Sequence, residues 1–110
     1  MKIIVADDEP IILEEVVEIL QELVPEAQIY DFSNPEDLLE FVENNQCDVA
    51  FLDIEMGTIN GVQVAKKLKN SYPQINIIFV TGYSDYAQTA FKIRASGYVL
   101  KPPTKKNIKE

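Results

Sequence analysis

At 110 residues, 46% of them hydrophobic, the chain suits one globular domain with a real core and is too short for two. Ten basic residues against eighteen acidic ones leave a net charge of −8, which argues against direct contact of this stretch with nucleic-acid phosphates or a membrane surface. With no histidine and one cysteine, Cys47, there is no thiolate zinc site or disulfide framework, and with no apolar run near ~20 residues and no signal-peptide core, a cytoplasmic setting is expected.

The first element is a short apolar run, Ile3 to Ala6, which reads as a strand buried on both faces and ends on three adjacent acids, Asp7, Asp8 and Glu9. After Pro10, Leu13, Val16, Val17, Leu20 and Val24 recur at helical spacing, with glutamates on the other face. "AQIYDF" reads as a second strand. "NPEDLLEFVENN" reads as a helix opened by Asn34 as N-cap and Pro35 at the first position. "CDVAFLDI" is a third strand, "GVQVAKKLKNS" a helix with a basic last turn, and "INIIFV" a fourth strand. "SDYAQTAFKIRAS" is expected to be helical, spanning about Ser84 to Ala95. "GYVL" is a fifth strand, and "TKKNIKE" gives at most two turns of a final helix. Asn60-Gly61 reads as ordinary turn chemistry. Five strands alternating with helices predict an α/β domain with a parallel sheet.

The polar residues that break this pattern share one kind of place. Asp7 and Asp8 follow strand one, Asp53 ends strand three, Thr81 follows strand four and Lys101 follows strand five. In an open doubly wound sheet those carboxyl ends form one edge, and with the order 2-1-3-4-5 Asp8 and Asp53 become neighbours. Each residue has a bland reading too. Asp8 or Glu9 could cap the first helix, Asp53 could be half of a structural ion pair with Lys101, and Thr81 and Tyr98 could be ordinary strand residues.

Taken together, "VADDEP", "FLDIEM", "NGVQVAKKLK", "FVTGY" and "GYVLKP" resemble the receiver domains of two-component response regulators, with spacings of 45, 28 and 20 residues from Asp8 through Asp53, Thr81 and Lys101. The wording of "FLDIEM" and "SGYVLKP" resembles receivers attached to LytTR-type output domains. The resemblance covers the whole chain and implies a flavodoxin-like, doubly wound, five-stranded parallel sheet of order 2-1-3-4-5 with helices on both faces. It implies one receiver domain over residues 1–110, with a shortened last helix and an output domain outside this sequence. Asp53 would take a phosphoryl group from a phosphohistidine on a sensor histidine kinase, and phosphorylation could bring homodimerisation. Asp8, Asp53 and the main-chain carbonyl of Glu55 would hold Mg²⁺, with Asp7 helping through a water. Lys101, Thr81 and N–H groups near Gly82 would bind the phosphoryl oxygens, and Thr81 and Tyr98 would form the switch. Such a domain promotes its own phosphorylation and dephosphorylation and is not a turnover enzyme. A Mg²⁺-dependent phosphohydrolase with Asp53 as nucleophile and an unphosphorylated pseudo-receiver are the alternatives. Gly57 stands where most relatives have proline, which predicts a looser loop after Asp53, and Glu55 and Tyr83 flank the site.

Overall fold

The computed structural model describes residues 1–109. In chain order it contains β1 (Lys2–Ala6), α1 (Pro10–Leu23), β2 (Gln28–Phe32), α2 (Pro35–Val42) and β3 (Val49–Leu52), followed by α3 (Gly61–Ser71), β4 (Asn76–Thr81), α4 (Ala87–Lys92), β5 (Gly97–Leu100) and α5 (Lys105–Lys109). The strands pair in parallel in the order β2-β1-β3-β4-β5, as expected for a doubly wound sheet.

The two-residue period of the strands divides the core. Ile4, Ala6, Ala50, Leu52, Ile77 and Phe79 face one side, where Leu38 of α2, Val64 and Leu68 of α3 and Ala90 of α4 cover them. Ile3, Val5, Phe51, Val80 and Val99 face the other, against Leu13, Val16 and Leu20 of α1 and Ile108 of α5. Both faces are covered, which is why the central strands read as unbroken apolar runs. Among the described residues no helix is long and apolar enough to cross a membrane.

The helix starts follow local chemistry. Asn34 accepts a hydrogen bond from the Asp37 N–H at 2.9 Å, and Pro35 opens α2 as expected. Asn60 caps α3 by accepting from the Val62 N–H at 2.6 Å, while Gln63 reaches back to the Asn60 N–H at 3.2 Å, a capping box in place of a plain turn.

One element differs clearly from expectation. Helix α4 has six residues and does not span Ser84 to Ala95. Its start at Tyr86 has no side-chain cap. Its end is forced by Arg94, which takes a left-handed conformation (φ 61°) while the Ala95 N–H donates to the Ala90 carbonyl at 3.0 Å, a Schellman closure built without glycine.

Candidate functional site

Strand register brings the polar residues together. Ala6 pairs with Leu52, Leu52 with Phe79, and Thr81 with Leu100, so four strands end at one edge. The chain is pinned just past those ends: the Asp53 N–H donates to the Ala6 carbonyl at 3.0 Å and the Lys101 N–H to the Thr81 carbonyl at 2.8 Å. Asp7, Asp53 and Thr81 are almost fully buried (2%, 4% and 0% exposed), whereas Asp8 stays open to solvent. A cleft above them is lined by Asp8, Asp53, Glu55, Gly82, Tyr83 and Lys101. The acids at strands one and three, Thr81 and Lys101 thus meet where the sequence placed them.

The Lys101 ammonium sits among acids, 3.1 Å from Asp7 Oδ2 and 3.2 Å from Asp53 Oδ2, and it also contacts Glu9. Glu9 as a partner of Lys101 was not foreseen. It occupies the N-cap position of α1 without a side-chain cap bond, and its N–H donates to Asp7 Oδ1 at 2.9 Å. Burial pushes the Asp7 carboxyl up to about 6; the Glu9 N–H and Lys101 oppose this and the charge of Asp53 adds to it. Burial raises Asp53 as well, against the pull of Lys101. Burial works against the charge of Lys101, but its bonds to Glu9 and Asp7 and the field of Asp53 outweigh this and hold the ammonium well above its ordinary range.

The donor set fits a hard divalent cation. One carboxylate oxygen from each of Asp7, Asp8 and Asp53 lies within 4.8 Å of the other two, and Asp53 Oδ1 is buried with no hydrogen-bond partner. A single ammonium offsets several carboxylates incompletely, and an orphaned buried oxygen is costly unless something binds it. Oxygen-only donors suit Mg²⁺.

The loop after Asp53, where Gly57 led to the expectation of looseness, makes several contacts. Gly57 adopts φ 67°, a conformation that proline cannot reach. Met56 is buried, the Thr58 hydroxyl donates to the Glu36 carboxylate, and Asn60 caps α3. Gly61 was missed as a site-building residue. It packs its backbone onto Asp53, and a Cβ there would stand 2.0 Å from the Asp53 carbonyl oxygen. A Cβ at Gly82 would meet nothing within 4 Å, so no steric demand fixes glycine there.

Thr81 and Tyr98 meet on Tyr83. The Tyr83 N–H donates to Thr81 Oγ1 at 3.3 Å, and the Tyr98 hydroxyl donates to the Tyr83 carbonyl. The half-buried Tyr98 ring lies against Phe79, centroids 6.3 Å apart.

With this geometry established, similarity to known proteins is informative. A family model described as the response regulator receiver domain matches residues 3–110. The chain belongs to this receiver family. The transcriptional regulatory protein LytR of Staphylococcus aureus is 34% identical over 110 residues, covering 100% of this receiver and 45% of that protein. The sensory transduction protein LytT of Oceanobacillus iheyensis is 39% identical, covering 97% and 44%. The receiver therefore spans less than half the length of these relatives, whose names agree with the LytTR resemblance. Among solved structures, the response regulatory domain of mrkE from Klebsiella pneumoniae superposes with a TM-score of 0.91 at 29% identity, covering 98% of this chain and 88% of that one. The response regulator TrrA of Thermotoga maritima, solved in complex with Mg²⁺-BeF, gives 0.84 at 36% identity, covering 98% and 92%. The chain is thus a receiver domain, a signalling domain of the response-regulator type.

Proposed function

We propose that this receiver accepts a phosphoryl group on Asp53 from the phosphohistidine of a sensor histidine kinase. The observation that supports this best is the Asp53 carboxylate itself: buried at the floor of a cleft, one oxygen on Lys101, the other without a partner. The carboxylate attacks phosphorus and the P–N bond breaks, its electron pair staying on the departing nitrogen; the imidazole, already protonated on its other nitrogen, leaves as the neutral ring. Little covalent chemistry is asked of the protein, so the residues act by positioning and by offsetting charge. Lys101 would follow one phosphoryl oxygen, the Thr81 hydroxyl would donate to another, and the Gly82 N–H to a third. Mg²⁺ held by Asp8, Asp53 and the Glu55 carbonyl, with Asp7 acting through a water, would supply further neutralisation of phosphoryl charge.

Readout would run through Tyr83. Drawing the Thr81 hydroxyl toward a phosphoryl group costs it the Tyr83 N–H bond, and Tyr98 holds the other side of that same residue. The surface formed by α4 and β5 would then shift its population between two arrangements. That surface would serve a transcriptional output segment or a second copy of the receiver, in the cytoplasm.

Intact mass after incubation with Mg²⁺ and acetyl phosphate tests the proposal. A single labile phosphate adduct is expected in the wild type and none in Asp53→Asn, which keeps the shape but not the nucleophile. No adduct in the wild type would make the domain a pseudo-receiver, and steady turnover of unrelated phosphate esters would make it a hydrolase.

A further inference from the structure

Charge is divided along the chain. Residues 1–55 hold sixteen acidic residues and one basic one, residues 56–110 nine basic and two acidic, so the sheet order sets an acidic flank at β2 and β1 beside a basic flank at β4 and β5. The outer face formed by α2, α3 and α4 shows the division most sharply. On α2 and its C-cap, Glu36, Asp37, Glu40 and Glu43 are exposed. On the other side Lys66, Lys69, Lys92 and Arg94 line one groove between the C-terminal ends of α3 and α4. The sign changes at the neighbouring groove, which Glu43 lines from the end of α2 and Lys67 from α3.

Among the described residues neither group forms a salt bridge. Lys69 donates to the Ile75 carbonyl at 2.7 Å, and Lys69 and Lys92 suit the C-terminal ends of their helices. Arg94 has no such local reason. It holds a left-handed backbone (φ 61°) that glycine would take at less cost, and its side chain is exposed, so strain is kept where a guanidinium is presented to solvent. On α4 Phe91 is 84% exposed.

We propose that this face pairs with the same face of a second copy, about a two-fold axis that lies in the plane of contact and runs lengthwise beside α3. Such an axis sets α2 of each copy into the groove between α3 and α4 of the other, so one pairing of opposite charges is made twice and the contact closes at a dimer. It also preserves height along the helices. Glu40 and Glu43, at the C-terminal end of α2, therefore meet the cations at the C-terminal ends of α3 and α4. A two-fold axis across the helices would instead set acid on acid. Exposed charge pairs contribute little net affinity and mainly fix orientation, so the apolar area of Phe91, brought against α2 of the second copy, is what holds the pair together.

Sedimentation equilibrium of the unlabelled protein, without Mg²⁺ or phosphodonor, is the test. A monomer–dimer equilibrium is expected at about 0.1–1 mM, the strength of a transient contact. Reversing two bases (Lys66→Glu with Lys92→Glu) or two acids (Glu40→Lys with Glu43→Lys) should each weaken it at least about tenfold, because like charges then face each other twice. An equimolar mixture of these two variants should recover dimers, since in a mixed pair both contacts again join opposite charges. Phe91→Ala should weaken the dimer with no change of charge. Lys105→Glu with Lys106→Glu makes the same change of net charge on α5 as the base reversal and should leave the dimer intact. The proposal is overturned by a wild type or a mixture that stays monomeric at about 1 mM, or by growth beyond dimers, which would mean an open head-to-tail contact. It is also overturned if Phe91→Ala or either charge reversal dimerises as the wild type does, or if the α5 variant weakens as much as the base reversal. Groove-dependent binding of a random DNA duplex by a monomeric wild type would overturn it in favour of nucleic-acid phosphates. None of these readings uses the chemistry of Asp53, so they stand or fall apart from the phosphoryl acceptor.

Discussion

Gly61 and Asp53 touch through their backbones, so closely that any β-carbon at residue 61 would fall 2.0 Å from the Asp53 carbonyl oxygen. The Gly61 N–H also donates to the Ile54 carbonyl at 2.8 Å, which seals the first turn of α3 against the loop after Asp53. Helix propensity alone favours alanine over glycine by up to about 1 kcal/mol. The clash is with backbone, which cannot rotate away, so Gly61→Ala is expected to lose about 2 kcal/mol or more in urea unfolding. Gly82→Ala, with open space around it, serves as the control. A neutral or stabilising Gly61→Ala would show that the loop yields freely.

Tyr98→Phe removes the hydroxyl that holds the Tyr83 carbonyl but keeps the ring on Phe79. A net loss of about 1 kcal/mol is expected, with faster hydrogen exchange confined to residues 82–92. Thr81→Val should loosen the same segment from the other side, because it removes the acceptor for the Tyr83 N–H. Exchange that quickens across the whole sheet would mean that these hydroxyls serve global packing and not the local link.

The acid cluster gives a pH dependence with a definite sign. The Asp7 carboxyl is pushed up to about 6, above its ordinary value, and Asp53 is raised too, in both cases chiefly by burial. The native state therefore binds more protons than the unfolded chain between about pH 4 and 6, and the metal-free domain should gain stability as pH falls through that window and lose it as pH rises. Asp7→Asn should flatten the slope. Mg²⁺ demands the deprotonated carboxylates, so its stabilisation, read as a rise in Tm, should be larger at about pH 7.5 than at about pH 5.5. A Mg²⁺ effect independent of pH would separate the cation from these acids.

Arg94 holds the left-handed position that closes α4. Arg94→Gly should raise stability by about 1 kcal/mol by removing the conflict between the β-carbon and the backbone, whereas Arg94→Ala should not. Urea midpoints at constant m-value decide the matter. Equal effects of glycine and alanine would assign the change to the arginine side chain instead.

The sheet and the polar edge were legible because their signals are local. Apolar runs such as Ile3 to Ala6 end abruptly on Asp7 and Asp8, and once the strands are parallel those endings must share an edge. The extent of α4 was not legible, since "SDYAQTAFKIRAS" has helical character throughout and only the left-handed Arg94 and the uncapped start show where it stops. Gly61 read as a turn residue because its demand comes from Asp53, eight positions away in sequence and in contact only after folding. The Tyr86 bond to Glu55 and the Glu9 contact with Lys101 are likewise products of tertiary approach, and no spacing rule marks them. Asn60 with Gln63 was a readable sign that the turn at residues 60–61 is the capped start of the helix already read from Gly61.

The ion cluster around Lys101 joins residues 94 positions apart, Asp7 and Lys101, and draws in Asp53 from between them. No contiguous piece of the chain contains it. Until β5 has docked beside β4, Asp53 has no ammonium next to it, and an emerging or partly unfolded chain offers a kinase only a hydrated, ordinary aspartate. Under the proposed function, modification of Asp53 would be gated by completion of the sheet, and the label would certify a finished molecule as well as a received signal.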